Sequence, residues 1–66
     1  GTSHQYWVAR CLLLYSDIYL AKGDLFSAKQ FLLSIQENYN ADDDIQTLTT
    51  ERINIITEKE QEGIIK

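Results

Sequence analysis

The fold turns on residues 12–28, which read LLLYSDIYLAKGDLFSA. Up to Lys22 the run is dense in apolar residues. Gly23 and Asp24 interrupt it, and Leu25 and Ala28 then resume an apolar spacing of three. Glycine directly after such a run is the residue best able to take the left-handed conformation that ends a helix. Aspartate beside it is a good N-cap for the next helix. Two helices joined by so short a turn fold back as an antiparallel hairpin. A positive φ at Gly23 is therefore expected.

Backwards from the turn, the first helix is expected over residues 3–22, with Thr2 and Gln5 at the spacing of a capping box. It is apolar around most of its circumference, so burial on more than one side is expected. Trp7, Leu14 and Ile18 form one row, and Val8, Leu12, Tyr15 and Tyr19 an adjoining one. Forwards, the second helix spans residues 24–39. Leu25, Ala28, Phe31, Leu32, Ile35 and Tyr39 lie on one face at spacings of three and four. After Asn40-Ala41, the run Asp42-Asp43-Asp44 supplies an N-cap and favourable negative charge for a third helix over residues 43–61. Its apolar stripe (Ile45, Leu48, Ile53, Ile55, Ile56) is narrower, and Thr49 and Arg52 interrupt it. Gly63 is expected to end this helix, leaving Ile64 and Ile65 in a tail. The reading is an all-α chain: a hairpin in residues 1–41, then a capping helix and tail in residues 42–66.

Composition agrees with helices. In 66 residues there is no proline and only three glycines, and 44% of the chain is hydrophobic. The formal charge of −4 is uneven, with seven acids against Arg52 and Lys59 in residues 42–62. An acidic chain without a basic patch is a poor fit to nucleic acid or anionic membrane. Cys11 is the only cysteine, so an internal disulfide is impossible. No stretch is long and apolar enough to cross a bilayer.

The hairpin resembles one tetratricopeptide repeat. Leu12, Tyr15, Ser16, Tyr19, Gly23, Asp24, Ala28, Leu32 and Ile35 carry the resemblance, over about residues 8–41. A large residue, a small one and an aromatic stand at the family's spacing as Tyr15, Ser16 and Tyr19, and Ala28 occupies the position where the two helices approach closely. Two positions depart from the pattern: Asn40 replaces the usual proline, and Ile35 is larger than the usual residue. The wording is most similar to the last repeat of bacterial envelope-associated members. The resemblance implies a non-enzymatic scaffold for protein–protein interaction, a periplasmic or cell-envelope setting, and a terminal place in a longer array. It also implies a partner-binding concave face at Arg10, Leu13, Asp17, Leu20 and Ala21, near Trp7. Families that clamp a C-terminal carboxylate carry Lys and Asn where Leu13 and Asp17 stand, so that activity is not implied. A bland reading stays open, in which these positions meet only a neighbouring repeat or solvent.

The remaining candidate residues favour structure over chemistry. The three aspartates lack the alternating oxygens, glycine and distal glutamate of a calcium loop, so capping is their expected role. His4 has no second ligand or nucleophile near it in sequence and is expected to be exposed. Cys11, among Val8, Leu12 and Tyr15, is expected to pack as a small core hydrophobe. Tyr15, Tyr19 and Phe31 are expected to pack in the core, while Trp7 and Phe26 have no evident partner within one hairpin. With no constellation of nucleophile, base and oxyanion donor, neither enzyme chemistry nor a cofactor is expected. The competing reading is a structural bundle that pairs with another copy through its first helix. Self-association near Trp7 is expected on either reading, because that helix is apolar on more sides than one hairpin covers.

Overall fold

The computed structural model describes the backbone of residues 2–65 and the side chains of residues 4–63. It contains three helices: α1 (Thr2–Lys22), α2 (Leu25–Asn38) and α3 (Asp44–Ile65). The Thr2 side chain, and with it the expected capping box, lies outside the described side chains.

Each junction is closed by groups that the sequence places at the helix ends. Gly23 has φ +81°. The Gly23 N–H donates to the Leu20 carbonyl at 3.0 Å and the Asp24 N–H to the Tyr19 carbonyl at 2.9 Å, the paired bonds of a Schellman turn. Asp24 then caps α2: its carboxylate accepts from the Ser27 N–H at 3.1 Å and from the Ser27 hydroxyl at 2.8 Å. Those two bonds hold the Asp24 carboxyl below its ordinary pKa. At the second junction Tyr39 is extended (φ −121°, ψ 115°). One Asp43 oxygen accepts from the Ile45 N–H at 3.0 Å and the other from the Tyr39 hydroxyl. A single aspartate thus caps α3 and fastens it to the end of α2. Its hydrogen bond is the main cause that raises the Tyr39 pKa to about 12.

The chain runs up, down and up. Tyr39 meets Asp43 at one end of the α2–α3 pair, and Lys29 reaches Glu60 at 3.5 Å towards the other, so α3 is antiparallel to α2. It is parallel to α1, because Tyr6 and Arg10 meet Asp44 while Asp17 meets Arg52. The core joins Ala9 and Leu13 of α1, Ala28, Leu32 and Ile35 of α2, Tyr39, and Ile45 and Ile56 of α3. Ala28 and Ser16 are both fully enclosed, as expected where two helix axes approach closely. The Ser16 hydroxyl donates to the Leu13 carbonyl at 2.7 Å and is satisfied within its own helix. The body measures 47 × 20 × 15 Å, with a radius of gyration of 12.4 Å. A compact chain of this length would have about 11 Å. The molecule is elongated, and much of α1 is left without a cover.

Four expectations need correction. The third helix does not fade at Gly63 but continues to Ile65; nothing lies within 4 Å of a Cβ built at Gly63, and its φ is not positive. Cys11 is exposed, because it stands about 200° round α1 from Ala9 and Leu13, on the side away from the core. Thr49 and Arg52 do not interrupt the inward stripe of α3. Thr49 is 1% exposed within it, and half-buried Arg52 joins it by pairing with Asp17, while Ile55 falls outside and is exposed. Tyr15 is also about half exposed, although its ring stacks on Phe31 at 5.5 Å, as Tyr19 does.

Candidate functional site

Helical geometry divides α1 into sectors at 100° per residue. Ala9, Leu13, Ser16 and Leu20 point at the core. Leu12 and Tyr19 lie towards α2, and Arg10 and Asp17 towards α3. On the side opposite the core stand Trp7, Cys11, Leu14 and Ile18, at spacings of four, three and four. Trp7 and Leu14 are each 64% exposed, and Ile18, Val8 and Tyr15 are about half exposed. A helix that is apolar all round normally lies inside a larger body. Here one side is enclosed and the other faces solvent.

Beside this row, α1 and α3 enclose a groove of about 360 Å³. Buried Leu13 and half-buried Leu48 form its floor, and Trp7, Cys11 and Leu14 one wall. Its polar groups are held in place. Arg52 grips Asp17 with two parallel bonds, Nε to Oδ1 at 2.8 Å and Nη2 to Oδ2 at 3.1 Å, and donates to the Leu48 carbonyl at 3.1 Å. Such a fork fixes both side chains as well as joining the helices. Arg10 lies 3.6 Å from Asp44, an exposed and weaker pair. Asp44 also accepts from the Tyr6 hydroxyl at 3.2 Å, and burial followed by that bond raises the Tyr6 pKa. The Tyr6 ring in turn meets Trp7 edge to face, with centroids 5.3 Å apart. Trp7 is therefore held on one side and open on the other.

Of the six residues expected on or near a partner-binding face, Ala21 lies outside this groove, and Trp7, Arg10, Leu13 and Asp17 come together in it. Leu20 does not; it packs against the core. Cys11, Leu14, Leu48 and Arg52 complete the lining and were not among the expected site residues. Leu48 and Arg52 come from a separate helix about 35 positions away, which nothing in the sequence places against α1. The sequence already sets Leu14 in one row with Trp7 and Ile18, and Cys11 shares their heptad spacing, which could have revealed it. A second open groove, of about 440 Å³, lies between the first half of α1 and the second half of α2, over Val8, Leu12 and Ile35.

Among the described residues no three His, Cys, Asp or Glu side chains gather where they could hold a metal ion. The Asp43 carboxylate is engaged in capping α3. Cys11 has no imidazole partner in the groove. What the groove offers is an apolar wall bordered by the bidentate Asp17–Arg52 pair, with the exposed Arg10–Asp44 pair beside it. No family model matches the chain, and neither a curated protein nor a solved structure matches it.

Proposed function

We propose that this chain is a protein-interaction module of the tetratricopeptide type, acting through the exposed side of α1 and its groove with α3 and not through catalysis. The observation that carries the reading is the row Trp7, Cys11, Leu14 and Ile18, which faces solvent directly opposite the core. Contiguous apolar patches on small proteins mark interaction surfaces. The rim supports it further, since the bidentate Asp17–Arg52 pair is fixed beside apolar ground and the looser Arg10–Asp44 pair lies next to it, as at the polar edge of an interface. The hairpin geometry is compatible with a helical repeat: a Schellman turn at Gly23, and small residues Ser16 and Ala28 enclosed between the helices. A place in a longer array, and a cell-envelope setting, belong to the same proposal and rest on the sequence resemblance.

The ligand chemistry that fits is an amphipathic helix presenting large apolar residues at spacings of three and four. Selection from a displayed library of amphipathic helical peptides, followed by titration of Trp7 fluorescence, tests it. The expected result is a set of peptides that shift the Trp7 emission and lose binding to a Leu14→Asp variant. Leu14 is exposed, so circular dichroism should show this variant still folded. Peptides that bind both forms equally, or no selected peptides at all, would remove the reading.

A further inference from the structure

We infer that the exposed side of α1 is a self-complementary seam, and that its occupant is α1 of a second copy of this chain, laid antiparallel. The inference rests on the proposed interaction role of this face and names the partner.

The spacing comes first. His4, Cys11 and Ile18 repeat every seven residues, as do Trp7, Leu14 and Ala21, the two sets being offset by three. These are the a and d positions of three heptads, the pattern of a helix that packs along another helix. The core already takes the opposite side of α1, so this seam is not used within the chain.

The orientation follows from volume and charge. In a parallel pair Trp7 would face Trp7 and Cys11 would face Cys11, stacking the largest layer beside the smallest. Reversing the second helix sets Trp7 against Ile18 of the other copy and Cys11 against Leu14, so the layers equalise. The same reversal brings Arg10 opposite Asp17 of the second copy, twice by symmetry. Neither intramolecular pair need break. Asp44, Arg10, the second copy's Asp17 and its Arg52 then alternate in sign across the join.

The area is sufficient for weak pairing. From their fractional exposures, Trp7, Val8, Leu14, Tyr15 and Ile18 offer roughly 500 Å² per copy, taking about 150–250 Å² for an aromatic side chain and less for an aliphatic one. Complete burial of these residues in two copies would remove about 1,000 Å², the size of a weak, concentration-dependent interface. The accessible surface of the chain, 4749 Å², is also larger than the about 4,300 Å² of a compact monomer of this mass. The excess is comparable to the patch.

Sedimentation equilibrium from micromolar to millimolar concentration should show the chain mass of 7.6 kDa rising to twice that value. Leu14→Glu should stay monomeric with unchanged helical circular dichroism. For orientation, Trp7→Cys and Ile18→Cys are each made with Cys11→Ser. Oxidation should cross-link the two variants when mixed and neither one alone. Cross-links within each variant alone, and none between them, would overturn the antiparallel arrangement. A monomer at every concentration that still takes peptides on α1 would overturn self-pairing and leave the interaction role standing. A monomer that takes none would end both.

Discussion

Replacing Thr49 with valine should stabilise this protein. The Thr49 side chain is 1% exposed, and its Oγ1 has no hydrogen-bond partner. It lies beside an open groove of about 250 Å³ that Ile35 and Tyr39, Ile45 of its own helix, and the polar Gln36, Asn40 and Gln46 also line. An enclosed hydroxyl without a partner costs about 1–3 kcal/mol relative to its hydration in the unfolded chain. Valine has the same branched shape and a similar helix propensity, so helix formation contributes little to the difference. Taking the lower end, a gain of about 1 kcal/mol in a chain of this size raises Tm by roughly 4–8 °C. Thermal unfolding followed by circular dichroism measures it, at one fixed protein concentration because pairing would make Tm concentration-dependent. Thr49→Ser is the control: it keeps the hydroxyl, loses a methyl worth about 0.8 kcal/mol, and should lower Tm. A Thr49→Val variant with unchanged or reduced Tm would refute the reasoning, for it would mean that the hydroxyl finds a partner such as a water from the adjoining groove.

Ala28→Leu should overpack the enclosed crossing of α1 and α2 and cost about 1–3 kcal/mol, read as a lower urea midpoint; an unchanged midpoint would contradict close packing there. Asp17→Ala strands the half-buried Arg52 guanidinium and should cost more than Arg10→Ala, whose pair with Asp44 is 3.6 Å long and exposed; equal costs would count against the bidentate pair as the stronger link. Gly63→Ala should raise helicity and stability by up to about 0.5–1 kcal/mol, since it meets no obstacle inside α3; a fall in Tm would place a contact there. The Tyr39 pKa is raised by Asp43 from its ordinary value of 10.0 to about 12, so folding favours the neutral phenol. That contribution is complete below pH 10 and is lost as pH rises towards about 12. Alkaline titration of tyrosinate absorbance should show a late component that moves down in Asp43→Asn.

The hairpin was legible because its signals are local. Gly23 and Asp24 announce a helix stop and start within two residues, and the spacing of Ala28, Leu32 and Ile35 orients α2 without ambiguity. The orientation of α1 was not legible to the same degree. Val8, Cys11, Leu12 and Tyr15 are all apolar, so periodicity alone could not say which of them faces the core, and the expectation of an inward Cys11 fails for that reason. In α3 the errors come from equating polarity with exposure. Thr49 is enclosed despite its hydroxyl, and Arg52 reaches inward because Asp17, 35 positions earlier, supplies its counter-charge. No window of local sequence contains that pair. The candidate groove shared this fate: its α1 wall could be anticipated, but its α3 floor required knowing that α3 runs parallel to α1.

That up-down-up course also bears on how the chain folds. Neighbours in sequence are neighbours in space: α1 shares its most extensive contact with α2, α2 with α3 comes next, and the contact between α1 and α3 is slight. Such local topologies close short loops first and fold on the microsecond-to-millisecond scale. The α1–α2 hairpin, with its capped two-residue turn, is positioned to form early. Helix α3 is tethered by Asp43 and by the Asp17–Arg52 and Lys29–Glu60 pairs over a narrow apolar stripe. It is therefore the element to dock last and detach first, and its amides should exchange hydrogen fastest in the native state. Transient release of α3 would uncover Leu13 and Ile35, so the lifetime of the docked helix governs how long the hairpin's own core stays covered.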